Sequence, residues 1–147
     1  MKNTLCRITG ILALASLATT QVARAQEAVL ANIPFAFTAG QMTLPAGEYR
    51  VQKLTNDSSP LLIRSTDGDG ASIVMTFAAS ANAPQDKSKL VFHRYGNRYF
   101  LAQVWTAGSA RGRELPKSAK EKEQALAAHN EAPEQVTIVA RLTPSNH

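Results

Sequence analysis

The amino-acid sequence predicts a mainly β fold: an antiparallel sandwich or partly open barrel of about seven strands, with one C-terminal α-helix before the last strand. Three observations support this prediction. Apolar and polar residues alternate with a period of two along most of the chain from Glu27 to Trp105. Clusters of Gly, Pro, Asn, Asp and Ser, which favour turns, separate the alternating runs at short intervals. One stretch near the C-terminus has the start signal and composition of a helix.

The strands are predicted from the side chains that share a face. Within residues 48–54, Tyr49 and Val51 lie on one face and polar residues on the other, which is typical of a half-buried strand. Further strands are predicted at 29–37, where a proline indicates a bend or a sheet edge, and at 61–64. Two more strands have an apolar face, formed by Ile73, Met75 and Phe77 in one and by Val136, Ile138, Ala140 and Leu142 in the last strand.

The clearest local signal is a β-hairpin over residues 89–105. Gly96 and Asn97 form a two-residue loop, and Gly in the first position favours a type II′ turn. A loop of this length fixes the register of the two strands. The register pairs Tyr95 with Arg98, His93 with Phe100, and Phe92 with Leu101. Because large apolar residues occur on both faces, we expect the hairpin to lie centrally, with Phe92 and Leu101 buried.

The predicted helix follows Ser118. Ser118 and Glu121 have the spacing of a capping box, in which the Ser118 hydroxyl accepts from the Glu121 amide and the Glu121 carboxylate reaches back to the Ser118 amide. Residues 120–129 continue with strong helix formers. Since the apolar content of this segment is low, we expect Leu115 and Leu126 to dock it onto the sheet.

The first 25 residues have the pattern of a secretory signal peptide. Lys2 and Arg7 give a positive start, a short apolar run follows, and an Ala-Arg-Ala cleavage motif ends at residue 25. The apolar run is about half as long as the ~20 residues of a membrane span, and no later segment approaches that length. We therefore predict a signal peptide at 1–25, a single β-rich domain at 26–147, no transmembrane segment after cleavage, and a periplasmic or secreted protein.

Cleavage would remove two features that otherwise suggest a function. The one cysteine, Cys6, lies in the signal peptide, so the mature protein would have no disulfide, no thiol nucleophile and no cysteine metal ligand. The formal net charge of +5 includes three cations of the first 25 residues; without them, 13 basic residues remain against 11 acidic ones. This balance removes most of the support for a nucleic-acid partner, and we predict none.

Several segments resemble a family of short, signal-bearing proteins of uncharacterised function that is common in acidobacterial genomes. The segments are Ala-Asn-Ile-Pro-Phe-Ala-Phe at 31–37, Leu-Pro-Ala-Gly-Glu-Tyr-Arg-Val at 44–51, Leu-Val-Phe-His-Arg-Tyr-Gly at 90–96 with Arg-Tyr-Phe-Leu at 98–101, and Gly-Arg-Glu-Leu-Pro-Lys-Ser at 112–118. The resemblance implies a bacterial envelope or secreted setting, and it implies no activity, substrate or catalytic residue. The octapeptide at 44–51 is also similar to a turn and strand of transthyretin-like and Ig-like bacterial modules.

The candidate binding site is the tip of the hairpin. Arg94, Tyr95, Arg98 and Tyr99 flank the two-residue loop. Tyrosine and arginine provide contact area and hydrogen-bond donors, and both are enriched where proteins recognise their partners. We predict that a surface formed by these four residues binds an unknown protein or an envelope polymer.

An enzyme would be built on His93, acting as a general base with a carboxylate partner. The hairpin register places His93 beside Phe100 with no acid near it in sequence, which favours a packed strand histidine. His129 is expected near the end of the helix, where it complements the helix dipole, and His147 lies at the chain terminus. The sequence contains no nucleophile elbow, zinc-binding or phosphate-binding motif, so we predict no catalytic residue and an enzyme is the less favoured class.

Two charged segments have competing interpretations. Asp67 and Asp69 resemble the start of a calcium loop, but a third oxygen ligand and the distal glutamate are lacking, so a hairpin turn is favoured and we predict no metal and no cofactor. The densest basic run comprises Arg111, Arg113, Lys117, Lys120 and Lys122. Its interleaved glutamates favour a solvated segment with local ion pairs first, and contact with an anion or envelope polymer second.

These features favour a non-catalytic, exported β-domain that binds a protein partner or a component of the cell envelope. Two alternatives come from other classes: a small hydrolase or isomerase with a cleft around His93, and a structural subunit that assembles through exposed strand edges. A pocket in which His93 and a carboxylate converge would favour the enzyme, whereas its absence would favour binding or assembly.

Overall fold

The structure, a computed structural model, describes residues 27–56 and 59–144. The predicted signal peptide at 1–25 lies outside the described residues. The described residues form twelve strands and one helix. In chain order these are β1 (Glu27–Ile33), β2 (Phe37–Ala39), β3 (Met42–Leu44), β4 (Gly47–Lys53), β5 (Pro60–Ser65), β6 (Ala71–Met75), β7 (Phe77–Ser80), β8 (Lys89–Tyr95), β9 (Arg98–Trp105), β10 (Arg111–Glu114), α1 (Ala119–Ala127), β11 (Glu134–Val139) and β12 (Arg141–Pro144).

The strands form two sheets. The first has the order β12-β1-β4-β5-β6 and the second has the order β11-β8-β9-β10-β7, and every neighbouring pair along both orders is antiparallel. The β2–β3 hairpin joins the second sheet through a single parallel pairing of Thr38 with Phe100. The mainly β sandwich with one helix near the C-terminus is confirmed. Twelve strands are present where the sequence predicts about seven, because five of them have only three or four residues between closely spaced turns or corners.

The two sheets meet in one hydrophobic cluster. Its centre is aromatic: the ring of Phe92 contacts the rings of Phe35 and Phe37 edge to face, with centroids 5.1 and 5.5 Å apart, and Phe37 contacts Tyr49 at 5.0 Å. The Tyr49 side chain is fully buried, and its hydroxyl donates to the Pro45 carbonyl at 2.6 Å. This bond explains the spacing of Pro and Tyr at the start of β4, since a buried phenol needs a partner.

The predicted hairpin is formed by β8 and β9. Its register pairs Tyr95 with Arg98, His93 with Phe100, and Phe92 with Leu101, as the two-residue loop predicts. Gly96 has a φ of +61°, whereas the φ of Asn97 is not positive, and this combination fits a type II′ turn. The burial of Phe92 and Leu101, at 0% and 3% exposure, is also confirmed.

Strand β6 buries the face opposite to the one that carries Ile73 and Met75. Ser72, Val74 and Thr76 point inward, whereas Ile73 and Met75 are 64% and 62% exposed. The buried hydroxyls are satisfied, because Ser72 donates to the Ala39 carbonyl at 3.0 Å and Thr76 donates to the Ser59 carbonyl at 2.7 Å. The polar side chains of Ser72 and Thr76 therefore occupy the inner face without an unsatisfied hydrogen-bonding group. The large apolar side chains of Ile73 and Met75 remain at the surface.

The predicted last strand is two strands in two sheets. β11 pairs with β8, the chain crosses at Ala140, and β12 pairs with β1. Val136, Ile138 and Ala140 pack against the core, as their shared face predicts. Leu142, on the far side of the crossing, is 37% exposed and does not join them. An unbroken period of two hides this crossing, because both strands are extended.

Helix α1 differs from its prediction in how it docks. Leu115 is buried, but Leu126 is 67% exposed, so the expected contact of Leu126 with the sheet is wrong. The Ser118 hydroxyl accepts from the Glu121 amide at 3.2 Å, which confirms one half of the capping box. The Glu121 carboxylate points to the sheet instead of back to Ser118. Among residues 27–56 and 59–144, no helix is long and apolar enough to cross a membrane.

Candidate functional site

A groove of about 690 Å³ runs beside strand β6. This volume lies within the range of ligand pockets in proteins. Its walls come from β6 with Leu62 of the neighbouring strand, from the β2–β3 turn, and from the segment that leads into α1. The lining residues are Gly40, Gln41, Met42, Leu62, Ala71, Ser72, Ile73, Val74, Met75, Leu115, Pro116, Lys117, Ser118, Ala119 and Lys122. We call this feature the β6 groove.

Several large apolar side chains are exposed in and beside the β6 groove. Ile73 and Met75 lie on the outer face of β6, Met42 on the opposite wall is 51% exposed, and Phe77, which begins β7, is 65% exposed. Large apolar side chains that are exposed singly are common, but a cluster beside a concave surface marks an interaction site. This cluster is therefore the strongest candidate for contact with another molecule.

Two lysines line the β6 groove, and none of the lining residues that the structure describes is acidic. Lys117 lies in the approach to α1, and Lys122 lies in its first turns. Neither forms an ion pair with any residue that the structure describes. Lys120 is held nearby, where its ammonium donates to the Gln41 carbonyl at 3.3 Å. The groove thus combines apolar contact area with the positive charge of two exposed lysines.

The groove is shaped by contacts at both ends of β6. The guanidinium of Arg113 donates to the Thr76 hydroxyl at 2.8 Å and to the Thr76 carbonyl at 3.1 Å, which fixes the corner where the chain passes from β6 to β7. At the other end, the Ser65 amide donates to the Gly70 carbonyl at 2.8 Å and closes the β5–β6 turn. Asp67 and Asp69 lie in this turn, so the favoured interpretation as a hairpin turn is confirmed. Within the described residues, no three His, Cys, Asp or Glu side chains are placed to hold a metal ion.

A second cluster joins α1 to the outer face of the β8–β9 hairpin. The imidazole Nδ1 of His93 donates to Oε1 of Glu121 at 2.7 Å, and the Tyr95 hydroxyl donates to the same oxygen at 3.2 Å. Glu121 is 3% exposed, which makes it the buried acid of the helix. The ring of Tyr95 also contacts that of Phe100 edge to face, with centroids 5.8 Å apart.

The Tyr95 phenol is perturbed by this environment. Burial raises its pKa above the ordinary value of 10.0, and the negative charge of Glu121 and the hydrogen bond to it raise the pKa further. A raised pKa keeps the phenol protonated, so it remains a donor to the carboxylate. The direction of this shift fits a structural bond between helix and sheet.

His93 and a carboxylate therefore converge, which sequence spacing did not indicate, but they do not line the β6 groove. Glu121 lies 28 positions after His93, and only the fold brings them together. The sequence marks Glu121 only through the capping box, whose spacing predicts that this carboxylate returns to Ser118. His129 lies just beyond the end of α1 with a φ of +54°, where it helps to terminate the helix.

The predicted binding residues at the hairpin tip are placed differently from one another. Tyr95 is 6% exposed and belongs to the Glu121 cluster. Tyr99 stacks on Phe35 with ring centroids 3.7 Å apart. Arg94 donates to the Gly96 carbonyl at 2.7 Å, lies 3.5 Å from Glu134, and covers the Tyr99 ring at 5.6 Å. Arg98 is exposed. The structure thus engages three of the four side chains in internal contacts.

Comparison with known proteins adds no relative. No protein-family model, no curated protein and no solved structure matches the chain.

Proposed function

We propose that this protein is a non-catalytic, exported binding domain that recognises a protein partner or another component of the bacterial cell envelope, and that the β6 groove is its binding surface. One observation carries the proposal: Ile73, Met75 and Phe77 are each more than 60% exposed, and the first two line a groove of ligand-binding size. Burying such side chains against a partner contributes ~1.5–3 kcal/mol each.

The groove is a better candidate than the hairpin tip. Recognition requires side chains that are free to contact a partner, and Arg94, Tyr95 and Tyr99 already contact Glu134, Glu121 and Phe35. Ile73 and Met75 have no comparable burial within the described residues. The binding class predicted from sequence is kept, and the proposed surface is moved from the hairpin tip to the groove.

The enzyme alternative has one observation in its favour, the contact of His93 with Glu121. Glu121 is buried, and both its donors come from the sheet beneath α1, so the carboxylate serves to hold the helix. A general base also needs room for a substrate within hydrogen-bond reach. The groove that offers such room is lined by neither residue.

The setting proposed for this function is the periplasm or the cell exterior. It is supported by the signal-peptide pattern of residues 1–25 and by the resemblance to acidobacterial exported proteins. Intact mass of the protein recovered from periplasm or medium is expected to begin at Gln26. Full-length protein confined to the cytoplasm would contradict this setting.

The binding surface is tested by retention on an envelope fraction from the cells that make the protein. The double variant Ile73→Ser with Met75→Ser is expected to lose retention at least about tenfold, because two exposed anchors are removed. Leu126→Ser is the matched control, since Leu126 is equally exposed but lies on α1 away from the groove lining. Equal retention of the double variant and the wild type, with retention lost in Arg98→Ala, would move the site back to the hairpin tip.

A further inference from the structure

Strand β6 is an open edge of the first sheet. Among the described strands it pairs with β5 and with no other. An open edge presents unpaired amide and carbonyl groups, and proteins commonly protect such edges with lysine, proline or a bulge. β6 has none of these, and no charged residue occurs between residues 70 and 85.

The hydrogen bonds to β5 show which backbone groups face the open side. The Thr76 amide donates to the Ser59 carbonyl at 2.9 Å, and the Ser65 amide donates to the Gly70 carbonyl at 2.8 Å. These two bonds bracket β6 in a continuous register. Because hydrogen-bonded and non-hydrogen-bonded positions alternate in an antiparallel ladder, the even-numbered residues direct their backbone groups toward β5. Ala71, Ile73 and Met75 therefore direct three amides and three carbonyls away from it.

The open side of β6 coincides with the β6 groove, which is lined by all five residues of the strand. The opposite wall carries Lys117 and Lys122. A strand bound in this groove gains three kinds of contact: backbone hydrogen bonds to β6, apolar contacts with Ile73 and Met75, and ionic contacts with the two lysines.

We propose that the β6 groove binds an extended peptide segment of a partner protein by adding it to the sheet as a strand beside β6. The proposal rests on the proposed binding function and names the partner's chemistry. The segment has apolar residues on the face that it shares with Ile73 and Met75, because side chains of paired residues lie on the same face. It also has acidic residues, which neutralise Lys117 and Lys122.

A second copy of this chain is a less suitable occupant. Pairing β6 with another β6 would place two uncharged strands together and leave both lysines unpaired. The groove also has the open edge of β6 on one side and the segment before α1 on the other, and a space of this shape suits a single peptide strand. Charge complementarity thus favours an acidic peptide.

The probe is a capped, dye-labelled peptide of alternating valine and glutamate, with an alternating valine and lysine peptide as its control. Fluorescence polarisation with the full chain is expected to show binding of the glutamate peptide at least about tenfold tighter than the lysine peptide. The double variant Lys117→Gln with Lys122→Gln is expected to weaken binding of the glutamate peptide about fivefold, because the ionic contacts with the peptide are lost. Both lysines are exposed, so the variant is expected to fold.

Strand addition is distinguished from simple apolar contact by two variants at one position. Ile73→Thr and Ile73→Pro both remove the isoleucine, but only the proline removes the outward amide. Ile73→Pro is expected to bind the glutamate peptide about fivefold more weakly than Ile73→Thr, which corresponds to one lost hydrogen bond. Circular dichroism checks that both variants fold, and the lysine double variant provides an independent result if the proline variant does not.

Three results would overturn the proposal: equal binding by Ile73→Pro and Ile73→Thr, equal binding of the two peptides by the wild type, or a dimer of the wild type that Ile73→Pro dissociates. The last would make a second copy the occupant of the edge. If the peptides fail but retention on envelope material still depends on Ile73 and Met75, strand addition is wrong and the proposed function stands. If retention does not depend on them, both are wrong.

Discussion

At the scale of single residues, the core depends on one aromatic side chain that the hairpin register identifies. Phe92 is fully buried and contacts Phe35 and Phe37. Phe92→Ala is expected to lower the free energy of unfolding by ~3–5 kcal/mol, measured by urea unfolding, because a cavity replaces the ring. Phe77→Ala is the matched control: Phe77 is 65% exposed, and the same change there is expected to cost less than about 0.5 kcal/mol.

Similar losses at Phe92 and Phe77 would contradict this core. They would mean that the sheet faces are assigned wrongly, because a one-residue shift of register reverses which side chains are buried.

The tyrosine beneath α1 predicts a dependence of stability on alkaline pH. The Tyr95 phenol has a raised pKa in the folded chain, first because it is buried and then because of Glu121. Its stabilising contribution is intact below the ordinary tyrosine pKa of about 10. Above that pH the unfolded chain releases its proton first and the folded chain binds more protons, so the free energy of unfolding falls as pH rises.

Tyr95→Phe isolates this effect. At neutral pH, the free energy of unfolding of the variant is expected to be about 1 kcal/mol lower than that of the wild type, because the hydrogen bond to Glu121 is gone. Between about pH 8 and about pH 11, the free energy of unfolding is expected to fall less in the variant than in the wild type. Urea unfolding at both pH values measures the difference. Tyr49, whose pKa is also raised by burial and by Asp69, keeps some alkaline dependence in the variant. Parallel pH profiles for the two proteins would show that Tyr95 titrates freely.

At the scale of elements, the helix is held by its first turn. Its last turn has no basic residue and Leu126 is exposed, whereas Ser118 caps the start and Glu121 reaches the sheet. Ser118→Ala is expected to lower the free energy of unfolding by ~1 kcal/mol. Ser118→Asp is the control, since aspartate also caps helices and is expected to retain most of the stability. An equal loss in both variants would show that the hydroxyl has another role.

The elements also show what sequence reasoning reaches. The β8–β9 register was predicted because a two-residue loop beginning with glycine leaves one pairing, and the start of α1 was predicted because Ser118 and Glu121 have capping spacing. The crossing of the chain between the two sheets at Ala140 is not predictable from the sequence, because the period of two continues through it. The outer placement of Ile73 and Met75 is also not predictable from the sequence. Ser72 and Thr76 can be buried because they donate to the carbonyls of Ala39 and Ser59, which lie far away in sequence.

At the scale of the whole molecule, the candidate site exists because two sheets end together. β6 and β7 are the last strands of their respective sheets, and the chain passes from one to the other at Thr76, where Arg113 holds the corner. An open, uncharged edge that carries large apolar side chains is a liability for a protein unless something covers it. The edge lies beside a groove with two lysines that form no ion pair within residues 27–56 and 59–144, which is the arrangement on which the proposed recognition of a partner rests.

Backbone hydrogen exchange at β6, followed by NMR with and without the valine-glutamate peptide, tests whether this edge binds a strand. In the free protein, the amides of Ser72 and Val74 are expected to exchange slowly, because they pair with β5, and those of Ala71, Ile73 and Met75 to exchange fast. The peptide is expected to slow exchange at the three odd-numbered positions and to leave the even-numbered ones unchanged. Unchanged exchange at Ile73 and Met75 when the peptide is saturating, or protection appearing instead at Arg98 and Tyr99, would contradict binding at the β6 edge.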